Sequence, residues 1–238
     1  QLVLITGGAG ALGTQLAARF AKRGARIAIW DIDEEGLQKT AAICEAHGAK
    51  VVRWWRVDMR SRESIAKAAA SLRKELGDVD ILVNNAGIGF GGKLLEQKDE
   101  HIVTCIDVNF VAHFWMAKEF LPAMVLANAG HMVSIASLGG HVVSAQDMIP
   151  YCASKFGTIA VQEGLENELT CMGTTGVRFT TVCPTYFKTK LLDDLTNRPG
   201  STTYSAEYVA DATMDAILTE QRLALIPRYT YAIRALKG

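Results

Sequence analysis

Residues 2–13 are LVLITGGAGALG, a short apolar run that leads straight into a glycine-rich turn. An amphipathic helical pattern follows over about residues 14–23, and Gly24 closes it. A strand, a glycine turn and a helix in this order favour phosphate binding, because glycines let the backbone approach a pyrophosphate and a helix N-terminus offers free N–H groups. The stretch therefore predicts a phosphate-binding turn, and the alternative is a plain tight turn.

An acidic residue closes the second predicted strand. Residues 26–30 are RIAIW, and Asp31 follows them, 18 residues beyond Gly13. An acidic side chain at about this distance hydrogen-bonds the adenosine ribose hydroxyls of NAD and repels the additional phosphate of NADP. No basic side chain stands at the neighbouring Ile32 to bind that phosphate. The sequence therefore predicts NAD rather than NADP, and the alternative is an ordinary solvated aspartate in a loop.

A tyrosine and a lysine share one face of a predicted helix. Residues 150–157 are PYCASKFG, and Pro150 suits a first helical turn, where its missing N–H costs nothing. Tyr151 and Lys155 are four residues apart, so their side chains lie about one turn apart on the same face. An ammonium group beside a phenol favours the phenolate and lowers the phenol pKa from its usual value near ~10. Such a pair can pass a proton to or from an alcohol oxygen, whereas the alternative is a solvated helix face.

Strands and helices alternate along the whole chain. Further helices are predicted over about residues 34–46, 62–76, 98–126, 150–172 and 206–219. Further strands are predicted over about residues 50–57, 80–83, 131–134, 177–183 and 223–226, with a short polar tail after the last. Because the strands are nearly continuous apolar runs, the pattern predicts one domain, residues 1–238, built on a parallel, doubly wound α/β sheet. The connection at 184–203 is longer than compact domains usually carry, which predicts a lid or binding loop.

Composition excludes several classes of function. The formal net charge is zero, and no basic run is present, which argues against a nucleic-acid partner. The five cysteines are scattered without a CxxC motif, and the five histidines form no ligand-spaced pair, so we expect no metal site and a reducing compartment. No uninterrupted apolar run reaches the ~18 residues of a spanning helix, and we expect no signal peptide. The sequence begins without Met, and we expect natural flanking segments to lie outside it.

The order of the motifs resembles the short-chain dehydrogenase/reductase superfamily over nearly the whole chain. The matching pieces are the TG…G turn at residues 6–13, Asp58, the NNAG motif at residues 84–87, Asn109, Ser137, the YxxxK pair Tyr151 and Lys155, and Pro184 with Thr189. Residues 113–115, 149–156 and 182–184 look more narrowly like the branch of lipid-droplet and microsomal 17β-hydroxysteroid dehydrogenases and relatives acting on retinol. The resemblance implies a Rossmann-type sheet of about seven strands with helices on both faces.

The resemblance also implies catalytic roles. Tyr151 would be the general acid/base, and Lys155 would lower its pKa and bind the nicotinamide ribose. Ser137 would hydrogen-bond the substrate oxygen, and Asn109 would hold a water molecule in a proton relay. Ser134 competes with Ser137 for its role, but it falls inside a predicted strand.

A larger set of residues would hold NAD. The glycine turn and the acidic side chain of the second strand would bind the adenosine half, further residues would surround the adenine and its ribose, and Thr189 would contact the carboxamide region. The expected contacts are Gly7, Gly10, Ala11, Leu12, Gly13, Asp31, Ile32, Asp58, Met59, Asn85, Ala86, Gly87, Tyr151, Lys155, Pro184 and Thr189.

Three features depart from the family pattern. The family's middle glycine is replaced by Ala11. Ser137 precedes Tyr151 by 14 residues instead of the usual 13, which implies one inserted residue in the loop between them. The usual Pro-Gly after the sixth strand is Pro184-Thr185.

Two hypotheses of function follow. The first is an NAD-dependent enzyme that interconverts an alcohol and its carbonyl on a lipophilic substrate, such as a steroid 17β-hydroxyl, retinol or a similar lipid. The second is a non-catalytic dinucleotide-binding sensor or scaffold, which we would expect to lack Tyr151 or Lys155. By resemblance we expect a homodimer paired through the long helices. We also expect a position on the cytoplasmic side, with endoplasmic-reticulum or lipid-droplet association only through segments outside this sequence.

Overall fold

A seven-stranded parallel sheet forms the centre of the molecule. The computed structural model describes residues 1–143, 147–188 and 203–236. In spatial order the strands run β3-β2-β1-β4-β5-β6-β7, and every neighbouring pair is parallel. The strands are β1 (Leu2–Thr6), β2 (Arg26–Asp31), β3 (Val52–Arg56), β4 (Ile81–Asn84), β5 (Gly130–Ile135), β6 (Val177–Pro184) and β7 (Leu223–Ile226). This is the predicted doubly wound sheet.

Helices cover both faces of the sheet because successive strand residues point to opposite sides. In β1, Val3 and Ile5 join one apolar core, and Leu2 and Leu4 join the other. The first core is covered by α1 (Ala11–Lys22), α2 (Glu34–Ala46) and α7 (Ala206–Leu218). The second is covered by α3 (Arg62–Leu76), α5 (Ala112–Ala127) and α6 (Ile149–Cys171).

The long helix predicted over residues 98–126 contains an unexpected irregularity. It consists of α4 (Asp99–Ile106), a π-helical turn (Asp107–Val111) and α5, which follow one another without a break. By length and composition this stretch is also the one helix of the described residues that could cross a membrane, with a mean hydropathy of 1.2. Its side chains Met116 and Phe120 pack in the second core.

Most predicted boundaries lie within three residues of the observed ones. Helix α1 begins earlier than predicted, because Gly10 already stands at its N-cap position. The predicted polar tail is wrong, since α8 (Thr230–Leu236) follows the last strand. Its start is fixed by the hydroxyl of Thr230, which donates to the carbonyl of Pro227 at 2.7 Å. Of the predicted lid, residues 189–202 lie outside the described part of the chain.

Candidate active site

A cavity of about 600 Å³ lies at the carboxyl ends of the central strands. The strand order reverses between β1 and β4, and open α/β sheets bind their ligands at such a switch point. All but two of the predicted site residues line this cavity. Thr189 lies outside the described residues, and Asn109 is buried behind the wall.

The glycine turn after β1 is packed too tightly for side chains. Gly7 has a φ of +66°, and a Cβ built on it would come within 2.8 Å of Cα of Ala86. A Cβ on Gly13 would overlap the carbonyl oxygen of Gly7. The turn is also fastened to the NNAG segment, because the Thr6 hydroxyl accepts from the backbone N–H groups of Asn85 and Ala86, each at 3.0 Å. The backbone at this end of the cavity is therefore held in one conformation.

Asn85 has a different local role from the one expected. Its side-chain amide nitrogen donates to the carbonyls of Thr6 at 2.9 Å and Gly7 at 3.1 Å. The amide thus joins the turn after β4 to the turn after β1, while the residue still lines the cavity. The family resemblance implies that Asn85 lies near the adenine and its ribose, which stays a prediction, and the sequence did not reveal these backbone contacts.

The Asp31 carboxylate lies at the rim of the same turn. One oxygen accepts the backbone N–H of Ala9 at 3.0 Å, and the other accepts those of Ile32 at 2.7 Å and Asp33 at 3.2 Å. Backbone bonds from both sides fix the orientation of this charge. A phosphate group placed here would meet a fixed negative charge.

A basic residue that the sequence analysis missed also lines the cavity. Arg60 forms a forked ion pair with Asp58, with contacts of 2.7 to 3.1 Å. The hydrogen bond from the guanidinium lowers the pKa of the Asp58 carboxyl. The two residues stand only two positions apart, and that spacing was the available signal for the pair.

Tyr151, Lys155 and Ser137 meet on one wall of the cavity. The ammonium nitrogen of Lys155 lies 5.6 Å from the centre of the Tyr151 ring and donates to the carbonyl of Ile135 at 2.9 Å. The hydroxyl of Ser137 hydrogen-bonds the phenol, and it also accepts the N–H of Gly139 at 3.0 Å. The helical spacing predicted the proximity of Tyr151 and Lys155, and the family resemblance implied the place of Ser137 beside them.

Burial reverses the predicted direction of the tyrosine pKa. Removal of water from around the phenol raises the pKa of Tyr151 to about 12. The hydrogen bond from Ser137 lowers the same pKa, but by less. Burial likewise lowers the pKa of Lys155 to about 8, because the charged ammonium loses its hydration. Burial is the largest effect on the phenol pKa here, and the lowering expected from Lys155 stays a prediction.

Asn109 lies in the π-helical turn, behind the cavity wall that carries Tyr151 and Ser137. Its amide pairs with the peptide of Ile88 in both directions, accepting from the N–H and donating to the carbonyl, each at 2.8 Å. The amide nitrogen also lies 3.0 Å from the hydroxyl of Ser154. An asparagine in the middle of a helix is explained by these contacts, which join three elements of the site.

Ser134 is separated from the cavity by its position in β5. Its hydroxyl is buried and donates to the side-chain oxygen of Gln162 at 2.9 Å. Ser137, three residues later, lines the cavity wall. The geometry thus agrees with the preference for Ser137.

The other end of the cavity is apolar. Two of its side chains, Tyr186 and Phe187, belong to the segment predicted as a lid. Others were not foreseen because they come from several separate elements: Ile88, Thr104, Val108, Leu138, Met148 and Cys152. Within the described ranges no group of three or more His, Cys, Asp or Glu side chains could hold a metal ion.

The fold and the site define a dinucleotide-dependent oxidoreductase of the short-chain type. Residues 1–200 match the family described as short chain dehydrogenase, and the chain belongs to that family. Its members bind a nicotinamide dinucleotide and act on small substrates.

Curated relatives place the chain in one branch of the family. It is 40% identical over 227 residues to human estradiol 17-beta-dehydrogenase 11, covering 95% of this chain and 75% of the relative. It is 38% identical over 232 residues to rat 17-beta-hydroxysteroid dehydrogenase 13, covering 96% and 75%. The branch recognised from short sequence stretches is thereby confirmed.

Solved structures confirm the fold. A short-chain dehydrogenase/reductase from Burkholderia phymatum in complex with NAD has a TM-score of 0.90 at 27% identity, covering 99% of this chain and 92% of the other. A short-chain dehydrogenase from Sphingobium yanoikuyae in complex with NADPH has a TM-score of 0.88 at 26% identity, covering 100% and 92%. One neighbour carries NAD and the other NADPH, so likeness of fold does not choose between the two cofactors.

Proposed function

We propose that this protein uses NAD to interconvert an alcohol and its carbonyl on a lipophilic small molecule. The main support for the proposal is that one wall of a single cavity contains Tyr151, Ser137 and Lys155. The other end of that cavity holds the glycine turn and Asp31. A proton-transfer group and a dinucleotide cradle therefore face the same space.

The residues around the turn fit a dinucleotide. A Cβ at Gly7 or Gly13 would collide with neighbouring backbone, so these glycines permit the tight turn that leads into α1. The N-terminus of α1 follows directly and offers its free N–H groups to a pyrophosphate. When bound, the nicotinamide supplies the donor or acceptor of the hydride.

The preference for NAD rests on Asp31. Its carboxylate is held in place by three backbone N–H groups, so it cannot turn away from an incoming phosphate without losing them. A fixed negative charge next to a 2′-phosphate is repulsive. The same oxygens can accept hydrogen bonds from ribose hydroxyls.

Tyr151 moves the proton. In the direction of carbonyl reduction its hydroxyl donates to the substrate oxygen, and in the direction of alcohol oxidation the phenolate accepts. With a pKa near 12, the phenol holds its proton at neutral pH and is ready to act as the acid. Ser137 directs its hydroxyl to the same oxygen, and Lys155 fixes the wall through its bond to Ile135.

The substrate class follows from the apolar end of the cavity. A charged substrate would lose its hydration there, and the side chains of Leu138, Met148 and Phe187 carry no charged group to replace it. Relatives named for estradiol support a steroid alcohol or ketone, and retinol or a long-chain alcohol has the same chemistry. We propose a neutral lipophilic alcohol or ketone of this kind.

The proposal is tested by titrating the protein with NADH and NADPH and then assaying estradiol, all-trans-retinol and a long-chain alcohol. We expect tighter binding of NADH and turnover of at least one of the three substrates. Tighter binding of NADPH would overturn the role of Asp31. Dinucleotide binding without turnover of any substrate would favour the sensor hypothesis.

Assembly and location are further proposals. A homodimer is supported by exposed apolar side chains on the long helices, among them Val103, Phe114 and Phe156. Light scattering at micromolar concentration should give twice the chain mass, and a monomer would contradict the proposal. Association with endoplasmic reticulum or lipid droplets through segments outside this sequence stays a prediction.

A further inference from the structure

A buried threonine on the catalytic helix contacts the π-helical turn. Thr158 lies one turn beyond Lys155 on α6 and is 0% exposed. Its hydroxyl oxygen is 2.7 Å from the carbonyl oxygen of Asn109 and 3.0 Å from that of Ser154. Since a hydroxyl has a single proton, the shorter contact identifies Asn109 as the main acceptor.

The hydrogen bond from Thr158 to the Asn109 carbonyl stabilises an irregular part of the backbone. A π-helical turn departs from the regular hydrogen-bond ladder of an α-helix, and such turns are frequent at functional sites. Asn109 is fully buried, so its backbone polar groups cannot pair with bulk water. Thr158 supplies a hydrogen bond from another element and thereby favours the irregular backbone over a regular helix.

The two elements are also packed closely at this level. A Cβ built on Gly157 would lie 2.6 Å from the ring of Phe110. The absence of a side chain at Gly157 thus lets the π-helical turn approach α6. The hydroxyl of Thr158 is then within reach of the Asn109 carbonyl.

The π-helical turn also contacts residues of the active site through the Asn109 side chain. The Asn109 side chain pairs with Ile88, which lines the cavity, and reaches Ser154 on α6. Ser154 in turn donates to the carbonyl of Tyr151 at 2.6 Å. A shift of the Asn109 backbone would therefore move both the cavity wall at Ile88 and the helix turn that carries Tyr151.

We propose that Thr158 is a positioning residue for the reaction, acting through the π-helical turn on Asn109. Thr158 is not among the described residues that line the cavity, so it acts without touching substrate or cofactor. Its loss should slow turnover and leave the distant dinucleotide cradle intact. This inference rests on the proposed function, because it concerns the rate of that reaction.

The test compares Thr158→Val, which keeps the volume but removes the hydroxyl, with Thr158→Ser, which keeps the hydroxyl. The matched control is Thr213→Val, because Thr213 is also 0% exposed and donates to the carbonyl of Val209 at 2.7 Å. We expect T158V to lower kcat by about 10- to 100-fold, as for a displaced catalytic group, with KM and the affinity for NADH changed by less than about threefold. T158S should recover most of the rate, and T213V should retain it.

A second readout does not depend on turnover. Amide hydrogen exchange of the segment around Ile88 should be faster in T158V than in T213V, since the Ile88 N–H donates to Asn109. If the unmodified protein turned over no substrate, the proposed function would fail and this exchange comparison would still decide the inference. The inference is overturned if T158V matches T213V in both kcat and exchange, or if T158S is as slow as T158V. Should T158V fail to fold, Thr158→Ala enters the same comparison.

Discussion

At the scale of single residues, burial is the main effect on the pKa values of Tyr151 and Lys155. It raises the pKa of Tyr151 to about 12 and lowers that of Lys155 to about 8. The sequence predicted the proximity of the two side chains, because i, i+4 spacing on a helix requires it. It could not predict the direction of the phenol pKa, since desolvation depends on what the other elements place around the ring.

The buried lysine makes stability depend on pH. Lys155 has a pKa of 10.5 in its unperturbed state and about 8 when buried, so the unfolded chain binds more protons between those values. Stability therefore rises with pH in that window. Relative to Lys155→Met, the free energy of unfolding of the unmodified protein should increase by roughly 2 to 3 kcal/mol between about pH 8 and about pH 10. Urea titrations at several pH values measure it, and parallel curves for the two proteins would contradict it.

The proposed preference for NAD depends on a second single residue, Asp31. Asp31→Asn removes the charge and keeps one of the two oxygens that accept backbone N–H groups. The ratio of NADPH to NADH affinity should then rise by about tenfold or more, because the repulsion of the phosphate is lost. Asp78→Asn, an exposed change of equal charge, is the control and should leave the ratio unaltered. An unchanged ratio in D31N would remove the basis for the NAD preference.

At the scale of elements, the turn between β1 and α1 leaves no room for a side chain at Gly13. A Cβ on Gly13 would overlap the Gly7 carbonyl, whereas a Cβ on Gly164, in the middle of α6, would meet no atom within 4 Å. Both glycines are helical, so the two positions form a matched pair.

Gly13→Ala should weaken NADH binding by about tenfold or more and destabilise the fold, since neighbouring backbone must shift. Gly164→Ala should instead raise the free energy of unfolding by about 0.5 to 1 kcal/mol, because alanine restricts the unfolded chain and favours helix. Fluorescence titration and urea unfolding measure the two effects. Equal NADH affinity in the two variants would contradict the cradle assigned to the turn.

Most elements were predictable because their signals are local. Helix α2 begins after Asp33, whose side chain accepts the N–H of Gly36 at 3.0 Å, and its predicted bounds were confirmed. The π-helical turn was not predicted, since it is stabilised by Thr158 from a distant part of the sequence. Helix α8 was missed because a short terminal segment carries too few residues for a helical period to stand out.

At the scale of the whole molecule, two buried histidines should limit stability in acid. Burial lowers the pKa of His113 to about 3, with a further lowering by Lys155. Burial and Arg178 lower that of His131 to about 4, against an opposing effect of Glu220. In the unfolded chain both histidines bind a proton near their ordinary pKa of 6.5, whereas in the folded protein they stay neutral to lower pH. The free energy of unfolding is therefore greatest above pH 6.5 and decreases as the pH falls below it.

The free energy of unfolding should therefore fall by up to about 1.4 kcal/mol per pH unit and per histidine as pH drops from 6.5 toward 4. His131→Asn should flatten this dependence, and His47→Gln, at an exposed histidine, should not. Urea midpoints between about pH 7 and about pH 5 provide the measurement. A slope that is the same in H131N as in the unmodified protein would contradict the assignment.

The site as a whole was more predictable at its cofactor end than at its substrate end. Motifs such as the glycine turn and the Tyr-Lys pair have fixed spacings, because chemistry and close packing constrain each residue type. The apolar wall of the cavity is built from single residues of separate elements, such as Val108 and Met148, and any apolar residue satisfies the packing there. Arg60 was missed although it stands only two positions from Asp58, because a single charged pair at that spacing is weak evidence of a site.

Measurement of turnover by Tyr151→Phe alongside the unmodified protein, with NADH and a steroid ketone, tests the proposed chemistry most directly. The variant keeps the ring and removes only the hydroxyl that would exchange a proton with the substrate oxygen. We expect kcat to fall by about 10²- to 10⁴-fold, with NADH affinity within about twofold. Turnover retained within about tenfold would contradict the assignment of Tyr151 as the acid/base.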